Sequence, residues 1–194
     1  MYDTDPRDVA NSIREAVISL DHSKLNECIL EFATFCSKEC QPERDPFPEI
    51  VFQTILDMMG NCEFQRMEDS QELLMVFEYE WGRLSEDQKR RLLSSISAAY
   101  EMFSDWMSYF VLSELLGEFY CNEDSFEVLC ELRRTSNEVA RSLVPHGFEH
   151  IAEGAESSDL RRRGLEQLVS MKEDASPQVK NEVAEALSNL GLSQ

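Results

Sequence analysis

Glycine and proline are scarce in this sequence, with 7 and 6 copies among 194 residues. An all-β protein needs frequent tight turns, and those turns draw on both residue types. Their scarcity therefore disfavours a β-sandwich or a β-barrel. Hydrophobic residues make up 42% of the chain, which also excludes wholesale disorder. Because a chain of this length can bury a substantial core, we expect a single helical domain over 1–194.

Positive charge is in short supply: 18 Lys and Arg stand against 38 Asp and Glu, for a formal net charge of −20. Such a surface repels nucleic-acid phosphate and anionic lipid, so we expect neither nucleic acid nor a membrane as a partner. It attracts a basic protein at long range. The plainer alternative is that the charge serves only to keep the protein soluble.

Long apolar runs and a secretion signal are missing as well. No stretch approaches the roughly 20 apolar residues of a membrane span. The first six residues, MYDTDP, lack the basic and apolar regions of a signal peptide. We therefore expect a cytoplasmic protein whose 6 cysteines stay reduced and act as small hydrophobic residues.

Catalytic motifs are absent from the sequence, which has no G-x-S-x-G elbow, P-loop or G-x-G-x-x-G loop. His146 and His150 have the i, i+4 spacing that places two imidazoles on one side of a helix, but Gly147 stands where a zincin has glutamate. Cys36 and Cys40 lie one turn apart without a CxxC pair. We predict no enzyme, cofactor or metal site; a metal-binding protein or enzyme using these groups is the less favoured alternative.

What the sequence does contain is helical periodicity along most of its length. Three prolines between 41 and 48 mark a loop, and Ser85 with Gln88 can form a capping box. The long apolar stretch after this box is divided at Ser104-Asp105, a suitable N-cap pair. These boundaries predict about ten helices in five antiparallel hairpins: 7–39, 47–82, 86–118, 124–153 and 159–191.

Two further signals lie in the fourth hairpin. Thr135 and Glu138 have the spacing of a second capping box. Pro145 is expected to interrupt the helix after it, because proline lacks a backbone N–H. A short helix is then expected to resume through Phe148 and Ile151.

The last hairpin contains the clearest motif. Its turn reads DASPQVK from Asp174 to Lys180, and VAEAL occupies 183–187. This segment resembles a single HEAT repeat, whose turn has Asp, two spacers, Pro, one spacer, Val and a basic residue. The resemblance implies that Asp174 and Lys180 join a hydrogen-bonded ladder between neighbouring repeats, although the family usually has Arg at the second place. Extended over the chain, it implies a HEAT-like α-solenoid; the alternative is a helical bundle without repeats.

Acidic residues alternate with aromatic residues between 78 and 124. Aromatic side chains are enriched at interface cores, and surrounding carboxylates can receive Lys and Arg from a partner. The alternative for each aromatic residue is an ordinary place in the core. The residues that we assign to a partner-binding surface are Glu78, Glu80, Trp81, Asp105, Trp106, Tyr109, Glu114 and Glu118.

These features predict a non-enzymatic protein–protein interaction module that presents an acidic helical surface to a basic protein. A more specific alternative is an immunity-type inhibitor that neutralises a toxin such as a nuclease by occlusion, with carboxylates placed where substrate phosphates bind. Both versions predict an association rate that falls steeply as salt is added.

Overall fold

The computed structural model describes residues 5–19, 21, 23–24, 27, 46–67 and 70–192. Every regular element in these residues is a helix and none is a strand, which confirms the all-α prediction. The described part of the chain has no helix that is both long and apolar enough to cross a membrane. Most of the second half of the predicted hairpin 7–39 lies outside these residues, as do His22, Cys36 and Cys40.

The chain divides into two compact units, Met1–Ser108 and Tyr109–Gln194. The helices of the first unit are α1 (Pro6–Ser19), α2 (Glu49–Met59), α3 (Ser70–Tyr79) and α4 (Glu86–Ala99). The next helix, α5 (Trp106–Glu114), starts at the end of this unit and continues into the second. Those of the second unit are α6 (Glu123–Leu132), α7 (Glu138–Ser142), α8 (Val144–Gly154), α9 (Ser158–Ser170) and α10 (Pro177–Asn189).

Aromatic rings form the core of the first unit. Phe52 and Phe77 meet edge to face with their centroids 5.6 Å apart, and Phe64 meets Phe103 in the same way at 6.2 Å. All four rings are buried. Edge-to-face contacts of this kind add to the hydrophobic stabilisation that burial of the rings supplies.

The predicted capping box at the start of α4 is confirmed, and it also connects two helices. Ser85 Oγ accepts the Gln88 N–H at 3.2 Å, and Gln88 Oε1 accepts the Ser85 N–H at 2.9 Å. The remaining amide nitrogen of Gln88 donates to Phe47 O and to Glu49 Oε2, at the start of α2. A local helix signal therefore also sets the register of α4 against α2.

Helix α8 lies at the centre of the second unit, where it packs against α6, α9 and α10. Val144, Phe148 and Ile151 are fully buried on it. The helix that starts at Glu138 ends at Ser142, and α8 then runs through Phe148 and Ile151, so the expected interruption near Pro145 is confirmed. The break falls at Leu143, two residues before the proline. Pro145 itself occupies the first turn of α8, where the missing N–H has no helical partner to lose.

The predicted capping box at Thr135 and Glu138 is wrong. Asn137 caps α7, because its side-chain oxygen accepts the Ala140 N–H at 3.2 Å. The Thr135 hydroxyl instead accepts the N–H of Asn137 at 3.2 Å, within the preceding turn. Asn is as good an N-cap as Ser or Thr, so the spacing rule selected the wrong one of two neighbouring candidates.

The first unit contains a three-residue arrangement that we call the first clamp: Glu49, Phe52 and Arg91. Arg91 of α4 donates to the carboxylate of Glu49 on α2 at 2.7 Å. Its guanidinium carbon lies 4.9 Å from the centre of the Phe52 ring. The arginine therefore joins α2 to α4 through both an ion pair and a cation–π contact.

The second unit contains the same arrangement, the second clamp: Glu123, Phe126 and Arg163. Arg163 of α9 donates to Glu123 of α6 at 2.8 Å and lies 4.4 Å from the centre of the Phe126 ring. In both clamps the glutamate is the first residue of its helix, the phenylalanine the fourth, and the arginine the sixth residue of its own helix. The two arginine side chains are also almost equally exposed, 34% and 31%.

Candidate functional site

Three of the predicted partner-binding residues lie at the end of α3, and the structure gives two of them internal roles. Glu80 is buried and forms an ion pair with Arg83 at 2.7 Å, so it is not accessible to a partner. Trp81 is half-buried, and the ammonium of Lys89 lies 5.1 Å from its ring. Glu78 is half-buried on α3. Trp81 is therefore neither a core residue nor fully exposed, whereas Tyr79 beside it is 66% exposed.

The end of the turn before α5 and the first turn of α5 expose three large apolar side chains. We call them the Met–Trp patch: Met102, Trp106 and Met107. They are 56%, 40% and 40% exposed. Asp105, predicted as an N-cap, accepts the N–H of Ser108 at 2.9 Å and so begins α5. Trp106, which the sequence analysis assigned to a partner-binding surface, is therefore partly exposed. The exposure of the two methionines near it in the sequence was not predicted.

The remaining predicted residues belong to the second unit. Tyr109 is buried, and its hydroxyl accepts a hydrogen bond from Asn137 Nδ2 at 3.0 Å. Glu118 is exposed, whereas Glu114 is half-buried. Glu114 lies beside the histidines of α8, so its strongest contacts are inside the unit.

Asp174 does bind a basic residue of an earlier helix, and that residue is Arg141. Arg141 Nε donates to Asp174 Oδ2 at 3.0 Å, and the Ser176 N–H donates to Asp174 Oδ1 at 2.8 Å. Burial by itself would raise the pKa of Asp174. The hydrogen bonds from Ser176 and Arg141 outweigh it, so the pKa is lowered.

Lys180, the other predicted ladder residue, is exposed and acts on Asp174 only as a more distant positive charge. Its position nevertheless corresponds to that of Arg141. Lys180 comes four residues after the N-cap Ser176, and Arg141 comes four residues after the N-cap Asn137. Arg141 therefore occupies in α7 the position that Lys180 occupies in α10.

Helices α5 and α8 bring together a group that we call the histidine cluster: Glu114, His146 and His150. The Nε2 atoms of the two histidines are 3.2 Å apart, and Glu114 Oε1 lies 3.9 Å from His146 Nε2. All three side chains are half-buried. The predicted i, i+4 placement of both imidazoles on one side of a helix is confirmed, and the carboxylate comes from another helix.

The orientation of His146 is set by its neighbours. Its ring stacks on Phe110 with a centroid separation of 4.5 Å and an angle of 21° between the planes. Its Nδ1 faces the largely buried Glu149, whose Oε2 lies 3.8 Å away. In the tautomer that carries its proton on Nδ1, the Nε2 lone pair of His146 faces His150 Nε2.

Burial gives His150 a different electrostatic setting. It lowers the pKa of His150, and the positive charge that His146 can carry lowers it further. Glu118, Glu149 and Glu114 act in the opposite direction without reversing the shift. His150 is therefore held in the neutral form, with a lone pair on one ring nitrogen.

Two glycines allow α8 to approach the end of α5 closely. A π-helical turn, Leu115–Phe119, comes directly after Glu114, and such turns are frequent at functional sites. A Cβ placed on Gly117 within this turn would collide with the backbone of Gly147, only 2.7 Å from its Cα. Gly147 occupies the position where a zincin has glutamate. Because it has no side chain, α8 lies close enough to the end of α5 for Glu114 to lie near the histidines.

The described cysteines are free thiols, but they do not share one environment. Cys62 is exposed, which departs from the expectation that the cysteines act as small core residues. Cys121 and Cys130 are half-buried, and burial raises the pKa of both thiols. A raised pKa disfavours the thiolate, which is the nucleophilic form of cysteine.

Comparison of the chain with protein-family models, curated proteins and solved structures finds no match. The class that the described fold defines is an all-helical protein with two compact units, each containing the same glutamate–phenylalanine–arginine clamp.

Proposed function

We propose that the chain is a non-catalytic, HEAT-like helical-repeat protein that binds a basic protein segment on the Met–Trp patch of its first unit. The observation that carries this proposal is the exposure of three large apolar side chains within six consecutive residues of a strongly acidic protein. Single exposed apolar residues are normal, but three within so short a segment favour an interaction site.

The repeat part of the proposal is supported by spacing within each unit. Helices α2 and α4 start at residues 49 and 86, which are 37 apart, and α6 and α9 start at 123 and 158, which are 35 apart. The first and second clamps join these two helix pairs through the same positions. The bond from Arg141 to Asp174 adds a contact of the kind that joins neighbouring HEAT repeats.

The residue types of the patch suit a docking surface. Methionine is flexible and polarisable, so it adapts to varied apolar partners, and tryptophan is the residue most enriched at energetic centres of interfaces. Asp105 keeps its carboxylate on the N–H of Ser108. Its role in capping therefore fixes the backbone that presents Trp106.

The basic character of the partner is inferred from how the protein uses its own cations. Lys89, Arg90 and Arg91 each pair with a carboxylate of their own unit. With 38 acidic residues against 18 basic ones, the surface carries a large negative excess that internal pairing does not cancel. A basic segment would be drawn to it and then held by the apolar patch.

A direct test uses Trp106 as its own reporter. The chain has 2 tryptophans, so Trp81→Phe leaves Trp106 as the only one. Two designed helical peptides of equal length, one with Lys and Leu faces and one with Glu and Leu faces, are titrated into this variant. We expect saturable binding and a blue-shifted Trp106 emission with the Lys peptide alone, and an affinity that falls as salt is raised.

The specificity control changes the patch without touching the reporter. Met102→Ser combined with Met107→Ser should weaken binding of the Lys peptide about tenfold, or roughly 1.4 kcal/mol. Val169→Ser removes another exposed apolar side chain, from α9 in the second unit, and should leave affinity unchanged. Equal affinity in the patch variant, or binding that ignores salt, would contradict the proposal.

The natural partner can be sought with a photo-crosslinking amino acid at position 106, and with the same group at position 169 as a control. We expect a basic protein that crosslinks at 106 alone. If that protein is a nuclease or another toxin and loses its activity in the complex, the immunity-type inhibitor is the correct version. If its activity is unchanged, the chain is a binding module of the general kind.

A further inference from the structure

The histidine cluster takes no part in the proposed docking surface, and we propose that it is a binding site for a divalent transition-metal ion, with Zn²⁺ the best chemical match. Glu114, His146 and His150 supply one carboxylate and two imidazoles. That ligand set, with one position left for water or another small ligand, is a common one for zinc and related ions.

The separation of the two ring nitrogens fits a metal ion. Tetrahedral zinc with bonds of about 2.0–2.1 Å holds two nitrogen ligands about 3.3 Å apart. His146 Nε2 and His150 Nε2 are 3.2 Å apart. Glu114 Oε1 is 3.9 Å from His146 Nε2, which is longer than the separation of two ligands on one tetrahedral zinc, so the carboxylate has to move closer when the ion binds.

The neighbours of His146 also suit a metal ligand. Imidazoles that bind metals usually direct their second ring nitrogen at a carboxylate or a carbonyl, which fixes the tautomer and the ring orientation. Glu149 Oε2 lies 3.8 Å from His146 Nδ1, the ring nitrogen that does not contact His150. Stacking on Phe110 restrains the ring further.

The competing explanation of the 3.2 Å contact is a direct hydrogen bond between two neutral imidazoles. It explains the histidine pair, and Glu114 would then pair with His146 only when that imidazole is protonated. The metal site uses all three side chains at once, and they lie beside the contact of Gly117 with Gly147. The two explanations differ in what happens when metal is added.

The test uses the full chain, stripped of metal with a chelator and kept reduced. Zn²⁺ and Co²⁺ are titrated separately, with calorimetry for stoichiometry and visible absorption for the Co²⁺ geometry. We expect one ion per chain, a tetrahedral or five-coordinate Co²⁺ spectrum, and no strong sulfur-to-metal band. A strong sulfur band, or no binding above the chelator-treated baseline, would overturn the proposal.

Conservative variants locate the site. His150→Gln and Glu114→Gln should each weaken binding of Zn²⁺ about 100-fold, and Glu149→Gln about tenfold. The matched controls are His22→Gln, which changes the one other histidine of the chain, and Glu156→Gln, which changes an exposed carboxylate outside the three-ligand group. Both controls should bind as the unchanged protein does.

Folding of each variant is checked separately, by circular dichroism and thermal unfolding in the presence of chelator. A variant that keeps the helical signal and melting temperature of the metal-free protein but loses Zn²⁺ binding supports the assignment. Full binding by both His150→Gln and Glu114→Gln, or loss of binding in His22→Gln, would show that the ion binds elsewhere on the chain.

Discussion

The first clamp and the second clamp connect their helices with the same three residue types at the same helix positions. In both, a glutamate at a helix N-terminus accepts from an arginine, and that arginine covers a phenylalanine ring. The negative charge also complements the positive end of the helix dipole. The likeness indicates that one local solution for joining neighbouring helices is used in both units.

The units differ in the contacts and surfaces that surround their clamps. The second unit adds the bond between Arg141 and Asp174, and the close contact of Gly117 with Gly147 that supports the histidine cluster. The first unit instead carries the exposed Met–Trp patch. The proposed partner surface therefore belongs to the first unit, and the proposed metal site to the second.

The largest expected effect comes from Gly117→Ala. The added Cβ meets the backbone of Gly147, which cannot move aside as a side-chain end could, so we expect a loss of about 3 kcal/mol in the free energy of unfolding. Urea denaturation followed by circular dichroism measures it. Gly154→Ala is the matched control, because nothing lies within 4 Å of its Cβ position. If Gly117→Ala lowered the free energy of unfolding no more than Gly154→Ala does, the backbone of Gly147 would have room for the added Cβ.

Breaking the bond between Arg141 and Asp174 in the second unit should lower the free energy of unfolding by less than Gly117→Ala does. Asp174→Asn keeps the shape of the side chain but removes its charge, so we expect a loss of about 1–2 kcal/mol at neutral pH. The pKa of Asp174 is lowered from 3.8 in the folded protein. Its contribution is therefore fully present above the unfolded-state pKa and is lost as pH falls through the folded pKa.

Thermal unfolding of both proteins from pH 7 to pH 2 measures this dependence. The difference in melting temperature between the unchanged protein and Asp174→Asn should shrink as the solution is acidified below the pKa of a free aspartate. A difference that stayed constant across that range would mean that the charge of Asp174 does not stabilise the fold.

The two clamps should respond alike when each is broken. Arg91→Ala and Arg163→Ala are each expected to cost about 1 kcal/mol, since partly exposed ion pairs and cation–π contacts are individually modest. Double-mutant cycles with Glu49→Gln and Glu123→Gln should give coupling energies of about 0.5 kcal/mol in both units. Coupling in one unit alone would show that the two clamps are not equivalent.

The smallest effect on stability is expected at the Met–Trp patch. Trp106→Ser removes a partly exposed ring that does not complete the core, so the free energy of unfolding should change by no more than about 0.5 kcal/mol. Peptide binding, followed by calorimetry, should nevertheless be lost. A large loss of stability would show that the Trp106 ring mainly stabilises the fold of the first unit.

Much of the fold could be predicted from the sequence because its signals are local. Ser85 with Gln88, Asp105, and Ser176 before Pro177 all begin helices where their residue types predict. The capping-box spacing selected Thr135 as the N-cap of α7, whereas the N-cap is Asn137, two residues later. Hydrogen-bonding partners within one turn of helix can be inferred from spacing alone.

The sites were less predictable, for a reason that particular residues show. The spacing of His146 and His150 indicated one helix face, but Glu114 joins them from 32 residues away along the chain, through a glycine contact that no spacing rule describes. Burial likewise removed Glu80 from the predicted partner surface while leaving Trp106 exposed. Helical periodicity predicts that a face packs, but not which side chains of another helix meet it.

The sequence by itself determined the helical class, most helix starts, the acidic surface and the pairing of the two histidines along one helix. These depend on backbone propensity, capping and charge, which act between near neighbours or on the chain as a whole. Only the tertiary structure decided that Arg91 reaches Glu49, that Arg141 reaches Asp174, and that Met102 stays exposed. Those outcomes depend on which helices pack together, and packing is settled by contacts summed over the whole core.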